Sequence, residues 1–222
     1  LLDGGLVRVA HGTARSFSLA DGLTSPNVAD VCRTSDGTLW IGASDGVARF
    51  EGDRFVPLRR GPTSVVHVAC VGTTLWVAPG RGLPWRIHAG TAERVAEPSL
   101  AGGNAHVVAA GRNGRIHVGL DDAVVTLDRI GESRVVQVAG GRRVSALAED
   151  PQGRLWIGTW GSGLARLEHD GMPSHASAGD GLPAGIVTSI AFDALGDAWI
   201  GTAGGLVRLS ERAFRLVATA GA

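Results

Sequence analysis

One four-residue pattern returns along the whole chain at intervals of 36 to 43 residues. Its first residue is apolar, its second is usually tryptophan, its third is aliphatic and its fourth is small. Its five copies begin at Leu39, Leu75, Ile116, Leu155 and Ala198. A period in this range marks a repeat protein. Each copy lies in a short apolar run bounded by glycine, aspartate or proline, and no 3.6-residue apolar period accompanies it. The pattern therefore predicts repeated short strands.

The clearest repeat contains four predicted strands, which we name A, B, C and D in chain order. They span residues 28–33, 38–43, 47–50 and 54–58. Asp-Gly pairs between these apolar runs indicate tight turns, since glycine accepts a positive φ without penalty. A sheet of four short strands cannot cover its own faces, so neighbouring sheets must cover them. The predicted fold class is therefore all-β, a β-propeller built of four-stranded antiparallel blades.

The chain begins partway through a repeat. The run from Gly4 to Val9 matches the run from Gly204 to Leu209 almost residue for residue. We therefore expect one β-propeller over 1–222, consisting of half a blade with strands C and D followed by five blades. The half blade spans 1–20, and the blades span 21–60, 61–98, 99–138, 139–176 and 177–222. We expect a fragment of a six- to eight-bladed ring, whose incomplete blade can self-associate through its open edge.

Composition narrows the partners and the chemistry. Basic and acidic residues balance at 21 each, and no basic run occurs, which argues against nucleic acid as a partner. The longest apolar run falls far short of the ~20 residues of a membrane helix, so no insertion of this segment into a membrane is predicted. Cys32 and Cys70 fall on strand A of adjacent repeats at apparently different depths. We expect them to be two free, buried thiols.

The repeat resembles the two-component regulator propeller repeat, which builds sensor domains of bacterial hybrid histidine kinases. The best matches are the segments 21–42, 150–159 and 180–202, with their D-G-L and L-W-I-G elements. The resemblance implies a periplasmic or extracellular input domain that detects a small-molecule ligand, often a glycan or its breakdown product. It implies no cofactor.

The tryptophans fall into two groups. Trp40, Trp76, Trp156 and Trp199 share one strand B position, and we expect them to fill the gaps between blades. Trp160 and Trp85 break this register. Trp160 lies in a predicted B–C turn and Trp85 lies near another, on the face that commonly binds ligands in propellers. We predict that both contact the ligand, and that turn residues add hydrogen bonds: Asp45, Arg81 and Asp121, with Asp122 beside it.

No catalytic or metal-binding motif occurs in the sequence. H-E-x-x-H, C-x-x-C and G-x-S-x-G are all absent, and His117 replaces a register tryptophan. No catalytic residue and no metal ligand is assigned, and we predict a non-catalytic protein. Two alternatives stay open. Streptogramin lyases have a similar D-x-x-G-x-x-W blade, which would make His67 and His106 the candidate residues. A purely protein-binding propeller is the other.

Overall fold

The computed structural model of the protein describes residues 4–128, 132–138, 142–167, 173–176, 181–210 and 213–219. These residues form 22 β-strands in six antiparallel sheets, one with two strands and five with four. Within each four-stranded sheet the spatial order follows the chain order. The prediction of an all-β propeller chain, with half a blade followed by five four-stranded blades, is confirmed.

The two-stranded sheet consists of β1 (Leu6–Ala10) and β2 (Thr13–Phe17). The four-stranded sheets, which we call blades 1 to 5, each contain strands A, B, C and D in that order. Blade 1 has β3 (Val28–Arg33), β4 (Leu39–Ala43), β5 (Gly46–Glu51) and β6 (Arg54–Pro57). Blade 2 has β7 (His67–Val71), β8 (Thr74–Ala78), β9 (Trp85–His88) and β10 (Thr91–Arg94). Blade 3 has β11 (Val107–Ala110), β12 (Ile116–Gly119), β13 (Ala123–Leu127) and β14 (Ser133–Gln137). Blade 4 has β15 (Val144–Glu149), β16 (Leu155–Thr159), β17 (Leu164–Leu167) and β18 (Pro173–Ala176). Blade 5 has β19 (Val187–Phe192), β20 (Ala198–Thr202), β21 (Gly205–Ser210) and β22 (Ala213–Thr219).

An aspartate shapes the A–B turn of the last two blades. Asp150 Oδ1 accepts hydrogen bonds from the backbone N–H groups of Gln152 and Arg154, at 2.9 and 2.8 Å. A carboxylate that binds its own backbone in this way holds the chain in a turn. Gly153 completes the turn at φ 87°, in the left-handed region. The D-x-x-G pattern of the sequence is thus a turn motif.

In blades 1 and 4 the glycine that closes the L-W-I-G tetrad makes room for the next blade. A Cβ placed on Gly158 of β16 would lie 2.5 Å from Val187 Cγ1 of β19. The same holds for Gly42 of β4, whose Cβ would lie 2.7 Å from Val68 Cγ1 of β7. Real carbon atoms do not approach so closely, so any larger residue would push the neighbouring strand A away.

The chain divides into two compact units, residues 1–108 and 109–222. In the first unit, Phe17 of the half blade packs edge-on against Phe50 and Phe55 of blade 1, with ring centroids 5.6 and 5.4 Å apart. In the second unit, Trp156 of blade 4 packs with Val187 and Ile200 of blade 5 in one buried cluster. In both units, therefore, apolar side chains join successive sheets.

The expectation of two free thiols is wrong, because Cys32 and Cys70 form a disulfide between β3 and β7. Their Cα atoms lie 5.7 Å apart, within the range that a disulfide can bridge. The two cysteines stand at the same depth, since Asp30 Oδ2, two residues before Cys32, accepts a hydrogen bond from the N–H of Val68, two residues before Cys70. The A strands of blades 1 and 2 therefore lie side by side in register, which the repeat alignment did not reveal.

Candidate functional site

The B–C turns carry four of the five residues that the sequence nominated for ligand binding. Asp45 lies between β4 and β5, Arg81 between β8 and β9, Asp121 between β12 and β13, and Trp160 between β16 and β17. Each turn therefore lies at the same end of its own sheet. The fifth residue, Trp85, is the first residue of strand β9 and lies beyond the turn.

Trp160 directly follows strand β16 and is 48% exposed. Its backbone N–H donates to the carbonyl oxygen of Arg143 at 2.9 Å. The Arg143 guanidinium carbon lies 4.5 Å from the centre of the indole ring, close enough for a cation–π contact. Below it, Thr159 Oγ1 donates to the Gly163 carbonyl at 2.9 Å and fixes the turn. The turn therefore holds a large aromatic side chain with nearly half its surface open to solvent.

Trp85 has a packing role that its sequence position did not indicate. It lies opposite Val77 in the sheet and packs against the buried cluster that contains Trp40 and Leu75. Arg94 of the adjacent strand places its guanidinium carbon 5.2 Å from the indole centre. Trp85 is half-buried, and its indole ring contacts both the apolar cluster and Arg94.

The three polar candidates differ in their surroundings. Asp45 and Arg81 are exposed, and Asp121 is half-buried. The turn around Arg81 is well held, because Gly82 N–H donates to Asn104 Oδ1 at 2.8 Å and Gly80 N–H donates to the Ala105 carbonyl at 2.8 Å. A turn fixed in this way presents Arg81 to solvent from a stable backbone.

Trp40 and Trp156 pack against side chains of the next blade, as predicted, whereas Trp199 is only partly buried. Trp40, Trp76 and Trp156 are 7 to 9% exposed. Trp156 also donates its indole N–H to Asp150 Oδ2 at 3.0 Å, and Trp199 donates to Asp193 Oδ2 at 3.0 Å. These tryptophans therefore join strand B to the A–B turn of its own blade.

His117, which replaces a register tryptophan in blade 3, is part of a polar group that the sequence did not reveal. Its Nε2 lies 3.0 Å from Glu149 Oε2 of blade 4, and its Nδ1 lies 2.8 Å from Thr126 Oγ1 of strand β13. Arg112 donates its backbone N–H to Glu149 Oε1 at 3.1 Å, and Arg115 Nη2 lies 3.4 Å from the same oxygen. The one signal in the sequence was the loss of tryptophan at position 117.

Glu149 is ionised within this group although its side chain is only 3% exposed. Burial raises the pKa of its carboxyl. The hydrogen bonds from His117 and the Arg112 backbone, with the charge of Arg115, outweigh burial and hold the pKa below its ordinary value. Because an ionised carboxylate can only accept, His117 donates to Glu149 through Nε2–H, and its Nδ1 shares a second hydrogen bond with the Thr126 hydroxyl.

The two histidines considered for a lyase lie on or beside the first strands of blades 2 and 3. His67 Nδ1 lies 3.2 Å from Asp30 Oδ2 of blade 1. His106 directly precedes strand β11. Within the part of the chain that the structure describes, no group of three or more His, Cys, Asp or Glu residues could hold a metal ion. Among the residues that the structure describes, no helix is long and apolar enough to cross a membrane.

One known family model matches two segments of the chain. The model described as two component regulator propeller matches residues 22–45 and 139–161, which include the A–B turns and tryptophans of blades 1 and 4. These two segments are therefore similar to two-component regulator propeller repeats. No curated protein matches it in sequence.

Solved structures share the fold. The extracellular domain of a hybrid two-component system from B. thetaiotaomicron is 22% identical, with a TM-score of 0.70 over 88% of this chain and 29% of that chain. A second such domain from the same organism is 18% identical, with a TM-score of 0.62 over 86% and 32%. An inactive virginiamycin B lyase from Staphylococcus aureus is 15% identical, with a TM-score of 0.72 over 90% and 71%. The chain thus spans less than a third of the two sensor domains.

Proposed function

We propose that this chain is part of a non-catalytic, ligand-sensing input domain of a bacterial two-component signalling protein. The repeat type and the fold of the extracellular domains support the assignment. The observation that carries ligand binding is Trp160, a tryptophan in a fixed turn that is 48% exposed. A partly exposed tryptophan offers a ligand both an apolar ring and a polar N–H group.

The ligand that best fits this surface is a sugar. An indole face stacks on the apolar face of a sugar ring, and Arg143 beside it offers guanidinium N–H donors for hydroxyl groups. Within the same unit of the chain, the B–C turn of blade 3 adds the half-buried Asp121. We therefore place the site on the B–C turns and propose a carbohydrate or a similar small ligand.

We place the domain outside the cytoplasm, in the periplasm or beyond the cell. The Cys32–Cys70 disulfide supports this location, because disulfides persist in oxidising compartments and are rare in the reducing cytosol. The similar sensor structures are extracellular domains.

Oligosaccharide titration of the purified chain tests the proposal. A panel of neutral oligosaccharides is titrated by calorimetry and by tryptophan fluorescence. We expect at least one to bind, and Trp160→Ala to weaken it about 10-fold or more, as the loss of one aromatic stacking contact predicts. Leu195→Ala is the matched control, because Leu195 is 82% exposed and lies on an A–B turn. Binding that survives Trp160→Ala, or a panel in which nothing binds, would contradict the proposal.

A lyase is the second candidate, favoured by the 0.72 TM-score with virginiamycin B lyase. That structure contains quinupristin. If this chain is such an enzyme, purified protein should retain a divalent metal that a chelator removes, and it should change the mass of quinupristin. His67 and Asp30, with 3.2 Å between Nδ1 and Oδ2, would then be the first residues to substitute. A sensor propeller should do neither.

Protein binding is the remaining alternative. One structure with this fold, at 13% identity and a TM-score of 0.60, is YCF48 bound to D1 peptide. Retention of unrelated peptides on the B–C turn face, together with no response to any small molecule, would favour this function.

A further inference from the structure

Blade 3 lacks a pair of side chains that the other blades have. In blades 1, 2, 4 and 5 the register tryptophan of strand B stands directly opposite an arginine of strand C. These pairs are Trp40–Arg49, Trp76–Arg86, Trp156–Arg166 and Trp199–Arg208. In blade 3 the same two positions hold His117 and Thr126. Both residues are smaller than the tryptophan and the arginine that occupy these positions in the other blades.

A cavity of about 190 Å³ lies beside His117 and Thr126. His117, Thr126 and Arg134 of blade 3 line one side, and Glu149 and Leu155 of blade 4 line the other. A cavity of ~150 Å³ is large enough to hold benzene, so this one admits a molecule of about that size or slightly larger. It lies near the A–B turns, at the opposite end of the sheets from Trp160.

The inner polar wall is already satisfied. Glu149 receives hydrogen bonds from His117 and from the Arg112 backbone, and His117 is bonded at both ring nitrogens. A ligand would gain little by breaking these bonds, because each buried group would then lose its partner. The wall therefore sets the shape of the cavity rather than offering free groups.

The charged groups of the cavity that remain available to a ligand are arginines. Two arginines, Arg115 and Arg134, line the cavity together with the single carboxylate of Glu149, and Arg115 Nη2 lies 3.4 Å from Glu149 Oε1. Arg134 of strand β14 stands opposite Thr126, is exposed, and has no ion-pair partner among the residues that the structure describes. The cavity thus carries more positive than negative charge, and guanidinium groups bind carboxylates through paired hydrogen bonds.

The remaining wall is apolar and is formed by Val136, Leu155 and Leu167. It would be left uncovered by inorganic phosphate or sulfate, but it suits a short hydrocarbon. We infer that this cavity binds a small organic carboxylate of about six to ten non-hydrogen atoms, with its carboxylate at Arg134 and Arg115 and its apolar part against the leucines. The site does not depend on the sugar site that we propose at the B–C turns.

Benzoate is the probe for this inference, because it has the proposed charge and size. It is titrated by calorimetry into the purified chain, with benzamide as its uncharged counterpart and inorganic phosphate as an oxyanion without hydrocarbon. We expect benzoate to bind and both comparators to bind at least about 10-fold more weakly. Arg134→Ala should weaken benzoate about 10-fold or more, as the loss of a charge-assisted hydrogen bond predicts. Arg54→Ala, on the outer strand β6 of blade 1, should leave it unchanged.

Filling the cavity gives an independent readout. His117→Trp combined with Thr126→Arg rebuilds the pair of the other blades, and should abolish benzoate binding. Because this double variant can fail to fold, Arg134→Ala decides the outcome by itself. The inference is overturned if benzoate does not bind at 20 mM, if Arg134→Ala binds it like the unmodified chain, or if phosphate binds better than benzoate. Equal binding of benzamide also overturns it.

Discussion

Trp156 donates its indole N–H to Asp150 with 3.0 Å between Nε1 and Oδ2, and thereby ties the buried tryptophan to the A–B turn of its own blade. Blade 5 repeats the bond between Trp199 and Asp193, also at 3.0 Å. In both blades, therefore, an aspartate six residues before the tryptophan accepts a hydrogen bond from its indole N–H. In blades 1 and 2 the same position holds Thr34 and Cys70, so the turns there are held differently.

Asp150→Asn should lower the stability of the chain. The Asp150 side chain is 1% exposed and accepts hydrogen bonds from the Gln152 and Arg154 backbone, the Arg154 guanidinium and the Trp156 indole. An amide directs N–H donors at one of its two positions, so at least one buried donor loses its acceptor. We expect the free energy of unfolding in urea to fall by about 2–3 kcal/mol. The control is Asp193→Asn, at a side chain that is 29% exposed, where the loss should be smaller. Equal losses would contradict the role of burial.

Glu149 should make the chain less stable in acid. Its pKa is lower in the folded than in the unfolded chain, so the unfolded state binds the proton more readily. The stabilisation is therefore present above the ordinary glutamate pKa of about 4.3 and is lost as the pH falls through the lower folded value. Melting temperatures measured from pH 6 downward should fall less steeply for Glu149→Gln than for the unmodified chain. Glu132→Gln, at an exposed glutamate, should keep the original slope.

Truncation of two tryptophans that lie four residues apart should lower the free energy of unfolding by very different amounts. Trp156→Ala removes a side chain that is 7% exposed and packed against blade 5, and should cost about 3–5 kcal/mol. Trp160→Ala removes one that is 48% exposed, and should cost less than about 1 kcal/mol. Urea unfolding of both variants measures the difference. A large loss for Trp160→Ala would show that it serves packing, and would weaken its assignment to ligand binding.

Gly158→Ala should destabilise the chain through the neighbouring blade. The added methyl group would lie 2.5 Å from Val187 Cγ1, which must then move. We expect a loss of about 1–3 kcal/mol, typical of overpacking. Val187→Ala in the same chain removes the nearest clashing atom, Cγ1, and leaves Cβ at 2.8 Å, so the double variant should lose less than the sum of the two single losses. Additive losses in a double-mutant cycle would mean that the glycine is needed for another reason.

The disulfide should contribute a large share of stability. Its two cysteines are separated by 38 residues, and closing a loop of that length stabilises a chain by about 4 kcal/mol in the chain-entropy model. Cys32→Ser with Cys70→Ser should lower the free energy of unfolding by about 2–4 kcal/mol, and a reducing agent should do the same to the unmodified chain only. If the reducing agent has no effect on the unmodified chain, the thiols are free in solution.

The sequence could predict whatever depends on residues near one another along the chain. The period of the L-W-I-G tetrad, the Asp-Gly turns and the alternating apolar runs predicted strands such as Val28–Arg33 and Val144–Glu149 with the bounds that the structure has. Local hydrogen bonding and strand periodicity explain that success, because each repeat contains its own signals. The buried position of Trp40 and Trp156 followed from the same regularity.

The tertiary structure decided what depends on how one blade lies against the next. Cys32 meets Cys70 only because β3 and β7 run side by side at a particular depth, and no pattern within either repeat specifies that offset. Glu149 reaches His117 across the same kind of boundary. Trp85, which the sequence placed near a binding turn, packs against a cluster that includes Trp40 and Val47 of blade 1. Side-chain packing between blades is non-local, so a single repeat fixes its own strands and leaves its contacts with the neighbouring blade to the tertiary structure.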